Sequence, residues 1–176
     1  GLWLKLKNAG LGENCLRMIR EMYSRVTRTV LVNGRFSDKF DVAAGVPQGS
    51  VLSPLLYAVY INGLDKHLRE RGYGLRVCGQ LVPLLMYADD IVLMARNVKE
   101  MQAMLTAMEE YAYRWRFEIN HGKCGLVAYG SEQFRQYVAS QTWSFAGEPL
   151  KVVDYYKYLG VELGRAGQGR WNKLLD

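Results

Sequence analysis

The chain has 176 residues, of which 49% are hydrophobic and 23% charged, ordinary values for one soluble globular domain with room for one good core. No apolar run approaches the roughly 20 residues that cross a bilayer, and no charged-then-apolar leader opens the chain, so membrane insertion and classical secretion are not expected. The formal net charge is +6, and residues 1–40 carry eight basic against three acidic side chains, five of those six charges. A basic amino-terminal third suits a polyanion such as nucleic acid, although moderate basicity is common in itself.

In chain order, Cys15, Met18, Ile19 and Met22 recur at helical spacing and predict a helix over Glu13–Tyr23. Val26 to Val32 alternates like a strand, Asn33-Gly34 is a strong type I′ hairpin signal, and a return strand carries Phe36, Phe40 and Val42. After the turn-rich Gly45-Val46-Pro47-Gln48-Gly49-Ser50, Ser53 caps a helix with Pro54 at its first position, predicted to run to about Arg69 in a core. Val98 to about Trp115 reads as a second long helix, with Met101, Met104, Leu105, Met108, Tyr111, Ala112 and Trp115 on one side as core packing. Short strands follow at Gly125–Tyr129, Thr142–Phe145 and Tyr158–Leu163, and the tail from Gly164 reads as the start of something further. Helix and strand segregate as α+β.

Cys15, Cys78 and Cys124 are odd in number, far apart and without C-x-x-C spacing, which predicts reduced thiols in an intracellular protein, with no choice between nucleus and cytoplasm. His67 and His121 are isolated and read as non-ligands. Gly1 is not a Met, so the chain is expected to be an excerpt of something longer.

Two adjacent acids stand out, in Tyr87-Ala88-Asp89-Asp90. They lie between the apolar runs Leu81-Val82-Pro83-Leu84-Leu85-Met86 and Ile91-Val92-Leu93-Met94-Ala95, each read as a strand buried on both faces. Ionised carboxylates beside buried strands need compensation, and a divalent cation is the simplest kind. The alternative is an Asp-Asp turn at the exposed tip of a hairpin. About forty residues earlier, the glycines around Pro47-Gln48 at a helix start let backbone come close to a ligand, with Gln48 offering donor and acceptor; an ordinary loop-to-helix turn is the plain alternative.

The order of four segments carries a resemblance. Gly45-Val46-Pro47-Gln48-Gly49-Ser50-Val51-Leu52-Ser53-Pro54 is followed by Tyr87-Ala88-Asp89-Asp90, then Asn120-His121-Gly122-Lys123, then Tyr156-Lys157-Tyr158-Leu159-Gly160-Val161. In this the chain resembles the reverse transcriptase domain of non-long-terminal-repeat (LINE-type) retrotransposons. The resemblance implies a partial polymerase palm over residues 1–164, an antiparallel sheet backed by helices, with the start of a thumb or connection at 165–176. It implies two-metal nucleotidyl transfer with Mg2+, or Mn2+ as the alternative ion. The implied partners are an RNA template, a DNA primer, deoxynucleoside triphosphates and the remainder of a parent polyprotein, with no membrane.

By the same resemblance, Asp89 is a direct metal ligand, and Asp90 bonds less directly or braces the site, since neighbours on an extended chain point to opposite faces. Pro47, Gln48 and Gly49 would lie along the template and incoming nucleotide, with Tyr87 and Ala88 near them at the primer end. Lys123 would stand near the pyrophosphate as a proton donor or neutralising charge; on the residues alone it reads as a solvated turn lysine. Tyr158, Leu159 and Gly160 would grip the primer strand, where a plain strand is the alternative.

The family takes a further catalytic Asp from a segment upstream, and here no acid precedes Glu13, while Asp38 and Asp41 fall in the hairpin next to Gly45. The expectation is therefore that these 176 residues alone do not polymerise; product from a poly(rA) template that Asp89→Ala abolished would overturn it. Two other readings stay open: a catalytically dead nucleic-acid-binding or structural remnant of the same fold, and a group II intron maturase.

Overall fold

The computed structural model describes residues 1–24, 26–41, 45, 47 and 49–164, in two compact units, Gly1–Gly63 and Leu64–Asp176. The first holds helices α1 (Leu2–Asn8), α2 (Glu13–Ser24) and α3 (Ser53–Ile61) and strands β1 (Thr27–Arg28), β2 (Leu31–Val32), β3 (Arg35–Phe36) and β4 (Phe40–Asp41). Its core is Leu6, Ile19 and Leu56, with Trp3, Leu16, Tyr23 and Val59 packed against them. The stripe expected on α2 is turned: Met18 and Met22 are 59% and 56% exposed. Leu16, Ile19 and Tyr23, at i, i+3 and i+7, form the inward stripe instead. Helix α1 was not anticipated from the sequence.

The predicted hairpin forms, with Leu31 opposite Phe36 and Val32 opposite Arg35, and Asn33 and Gly34 both take positive φ, 49° and 75°, as a type I′ turn demands. Its long strands are interrupted, because Ser37 turns its hydroxyl onto the Val30 amide (3.0 Å). Pairing resumes as β1 with β4, Thr27 opposite Asp41. Val42 lies outside the described residues.

The helix expected from Ser53 to Arg69 is two. It ends at Ile61, and α4 (Gly63–Arg69) follows Asn62, in keeping with glycine's poor helix propensity. Nor is Ser53 the cap. Leu52 holds that position, and Ser53, the first helical residue, donates its hydroxyl to the Pro47 carbonyl at 2.7 Å.

In the second unit β5 (Leu75–Val77) pairs with β6 (Gln80–Val82), and β7 (Leu84–Tyr87) with β8 (Asp90–Leu93). The apolar run Leu81–Met86, expected as one strand, is split at Pro83, which has no N–H to give a ladder. Nor are these strands buried on both faces: Leu84 is buried and Leu85 is 46% exposed, because a two-stranded ribbon here has one covered face.

Helix α5 (Val98–Trp115) runs as predicted and buries Met104, Leu105, Met108, Tyr111 and Ala112. Asn97 caps it, accepting the Glu100 amide at 2.9 Å. A 3₁₀ turn (His121–Lys123) and helix α6 (Glu132–Ser140), capped by Ser131, come next and were not anticipated. The strand expected at Gly125–Tyr129 reduces to a parallel bridge between Leu126 and Val152. Then β9 (Ser144–Phe145) pairs with β10 (Glu148–Pro149), and β11 (Tyr155–Tyr158) with β12 (Val161–Gly164). The run Tyr158–Leu163 is therefore a turn between two strands, not one strand.

Mixed helix and antiparallel pairing agree with the α+β expectation. Among the described residues the strands form six two-stranded ribbons rather than one sheet. No described helix is long and apolar enough to cross a membrane. The segment expected to begin a thumb, 165–176, lies outside the described residues.

Candidate functional site

Tyr87 pairs with Asp90, so Ala88 and Asp89 are the two residues of a tight hairpin tip. Ala88 adopts φ +50°, a left-handed backbone that costs a residue with a Cβ about 1 kcal/mol. Both aspartates are exposed. The exposed tip, the plainer of the two sequence readings, thus describes their location, and no burial penalty calls for a counter-ion. Among the described residues neither carboxylate takes part in a hydrogen bond or ion pair. What the tip offers is two hard oxygen donors side by side in water.

That donor set fits Mg2+ or Mn2+ as part of a coordination sphere, since Mg2+ is usually bound through one or two carboxylates with waters and phosphates completing it. No group of three or more His, Cys, Asp or Glu side chains suited to a metal occurs among the described residues.

Two other predicted segments come to the same strand. Tyr156 and Tyr158 are half-buried and alternate with exposed neighbours along β11, so they share one face. The Tyr156 hydroxyl donates to the backbone carbonyl of Lys123, tying the 3₁₀ turn to the strand while the lysine stays exposed. Burial, and then the negative charge of Asp90, push the Tyr158 hydroxyl above its ordinary pKa. Leu159 and Gly160 form the β11–β12 turn with φ of 50° and 84°. The Lys123 turn and Tyr158 are thus brought together along β11.

Pro47 and Gly49 belong to the first unit. The Pro47 carbonyl accepts from the Ser50 amide at 3.4 Å as well as from Ser53, and Tyr23 and Ser50 share a hydroxyl–hydroxyl bond of 3.1 Å. Gly49 sits at φ +87° with open space where a Cβ would go, so its backbone conformation is what calls for glycine. Gln48 lies outside the described residues.

Sequence reasoning passed over one group. Glu100 is only 7% exposed and its carboxylate takes four hydrogen bonds. Oε1 accepts from the Gly74 amide (2.9 Å) and Arg96 Nη2 (3.0 Å). Oε2 accepts from the Arg96 amide and Nε, both at 2.8 Å. Burial alone would raise its pKa, but the bonds from Arg96 and Gly74 outweigh that and hold it below the ordinary carboxylate value. The signal was present, since Asn97-Val98-Lys99-Glu100 has the spacing of a capping box.

A family model described as "Reverse transcriptase (RNA-dependent DNA polymerase)" matches residues 2–163. The chain belongs to the reverse transcriptase family. It is 31% identical over 173 residues to the "RNA-directed DNA polymerase from mobile element jockey" of Drosophila funebris, a match covering 94% of this chain and 18% of that protein. It is 30% identical over 174 residues to the "Probable RNA-directed DNA polymerase from transposon X-element" of Drosophila melanogaster, with the same two coverages. The "Retrovirus-related Pol polyprotein from type-2 retrotransposable element R2DM" of that species is 28% identical over 149 residues, 82% of this chain and 14% of its own length. This reverse transcriptase segment therefore spans less than a fifth of the length of those relatives, and the retrotransposon resemblance read from the four motifs holds.

Proposed function

We propose that this segment supplies the metal-binding carboxylates and the nucleic-acid-contacting turns of a retrotransposon RNA-directed DNA polymerase, which extends a DNA primer on an RNA template. The carrying observation is the two-residue tip that holds Asp89 and Asp90 out in solvent, in a chain of the reverse transcriptase family. Residues 1–164 are then part of a palm and 165–176 the start of a thumb or connection. Asp89 and Asp90 would hold Mg2+ or Mn2+, which when bound provides a Lewis acid for the primer 3′-hydroxyl and the triphosphate.

The chain's own groups do the rest. Lys123, exposed and fixed at its backbone by Tyr156, neutralises charge near the departing pyrophosphate. Tyr158, Leu159 and Gly160 present a hairpin tip to the primer strand. Pro47, Gln48 and Gly49 line the template and incoming nucleotide, with Tyr87 and Ala88 at the primer end.

Mn2+ titration of the 15N-labelled chain tests the metal assignment, because bound Mn2+ broadens nearby amides. Broadening should centre on Asp89 and Asp90 and vanish in Asp89→Asn; broadening centred elsewhere defeats it. A second reading, a remnant that binds nucleic acid without catalysis, draws on the two-carboxylate set among the described residues. Primer extension on poly(rA) that depends on Asp89 would remove it.

A further inference from the structure

The Glu100 carboxylate stands at the root of the hairpin whose tip carries Asp89 and Asp90, and it ties down the root of each strand. Beside the first strand it bonds the Gly74 amide, in the loop that leads into β5. A Cβ at Gly74 would lie 2.5 Å from Pro83 Cα and 2.6 Å from the Val82 carbonyl oxygen, so residue 74 is pressed against the joint between β6 and β7. Pro83 is itself fully buried, and its carbonyl accepts the Met94 amide at 2.8 Å, which closes the β7–β8 ladder one step below Leu84 and Leu93. On the second strand, Arg96 follows β8 by three residues and gives Glu100 its amide and the Nε and Nη2 of its guanidinium. Arg96 Nη2 also reaches the Gly72 carbonyl at 3.3 Å, returning to the loop that carries Gly74.

An ordinary capping box would send the glutamate back to its own cap residue. Here Asn97 fills the cap role alone, and Glu100 reaches past it to Arg96 and across to Gly74. Its carboxylate has about four acceptor sites, and all are taken by groups from the two sides of the hairpin root.

We propose that Glu100 is a positioning residue for the metal site: by clamping Gly74 and Arg96 it aims the β7–β8 hairpin, and so sets where Asp89 and Asp90 are held. It touches no reacting atom, since four residues of strand at about 3.3 Å each separate root from tip, roughly 13 Å. The inference rests on the metal-binding reading of the tip, but its first readout does not need a metal.

The test uses the full 176-residue chain, 15N-labelled. Glu100→Gln keeps the shape and removes the charge that makes the Arg96 bonds strong. It should speed hydrogen exchange at the Gly74, Met94 and Arg96 amides about tenfold or more while leaving α6 unchanged. It should also move the amide shifts of Asp89 and Asp90, and raise the Mn2+ midpoint for broadening them about threefold, as expected of a loosened site. Val138→Ala, a core truncation in α6, controls for loss of stability and should leave the tip shifts in place.

If the tip shifts stay put in Glu100→Gln, or move as much in Val138→Ala, the proposal is overturned. Should Glu100→Gln not fold, Arg96→Gln breaks the same clamp and is judged by the same shifts. An absence of Mn2+ broadening in the unaltered chain counts against the metal assignment alone.

Discussion

At the root of the β7–β8 hairpin one buried carboxylate takes four hydrogen bonds, whereas at the tip two exposed carboxylates take none from the described residues. All are acidic, the first on helix α5 against the hairpin root and the other two at the hairpin tip. The difference is whether the protein supplies the compensating charge. Glu100 is satisfied from within and contributes to the fold, while Asp89 and Asp90 face solvent.

The tip also differs from its counterparts. Asn33-Gly34, Cys78-Gly79, Ala146-Gly147 and Leu159-Gly160 each place a residue near φ +50° before a glycine at positive φ. Those are type I′ turns that fold for their own sake. Ala88-Asp89 puts an acid where the others put glycine, and Ala88 alone takes the left-handed backbone, at φ +50°.

The largest expected effect sharpens the contrast at the root. Glu100→Ala strands the Gly74 and Arg96 amides and should lower unfolding free energy by about 3 kcal/mol, measured by urea denaturation. At the tip, Asp89→Asn should leave the urea midpoint where it is and weaken Mn2+ binding about tenfold or more; a large loss of stability there would break the contrast. Smaller still, Ala88→Gly should relieve the left-handed strain and add about 1 kcal/mol of stability. A loss on that change would mean Ala88 is not strained.

The smallest effect separates two pH dependences. His67 donates from Nε2 to the Ala107 carbonyl (3.1 Å), accepts from Arg71 at Nδ1 (3.0 Å) and lies against Tyr111. Burial and Arg71 lower its pKa beneath 6.5, with Arg114 in the same sense, against opposing pulls from the Ala107 carbonyl and Glu110. A lowered folded value means the neutral ring belongs to the native state. Its contribution is thus complete above pH 6.5 and falls away as pH drops through the folded value. Glu100, also lowered, keeps its contribution above the ordinary glutamate value of 4.5 and loses it only in stronger acid. Urea midpoints at pH 7, 5.5 and 3.5 should therefore fall in two steps, and His67→Gln should remove the first step alone.

Legibility in the sequence followed the range of the forces involved. Helix α5 was legible because its apolar period is local. The Asn33-Gly34 turn was legible for the same reason. The single helix from Ser53 to Arg69 failed at Asn62-Gly63, where a good apolar pattern hid a local break. The α2 face was misjudged because α1 was not anticipated, α3 is distant in sequence, and Met18 is as apolar as Leu16. The acids at the tip stood out in the sequence, with an exposed hairpin tip among the readings, but the burial of their flanking strands was misjudged, since continuous apolar runs suggested two covered faces. Glu100 stayed hidden because half of its partners come from a loop some 26 residues away.

Gly74 carries a consequence for mutational tolerance. Any other residue there would place its Cβ against Pro83 and Val82 backbone atoms, which cannot swing aside as a side chain can. In a saturation screen for Mn2+ binding, on the metal-binding reading proposed for the tip, the position would read as intolerant as an aspartate there. Screening the same library for folded yield would part the two classes: substitutions at 74 would drop out, and those at Asp89 would survive.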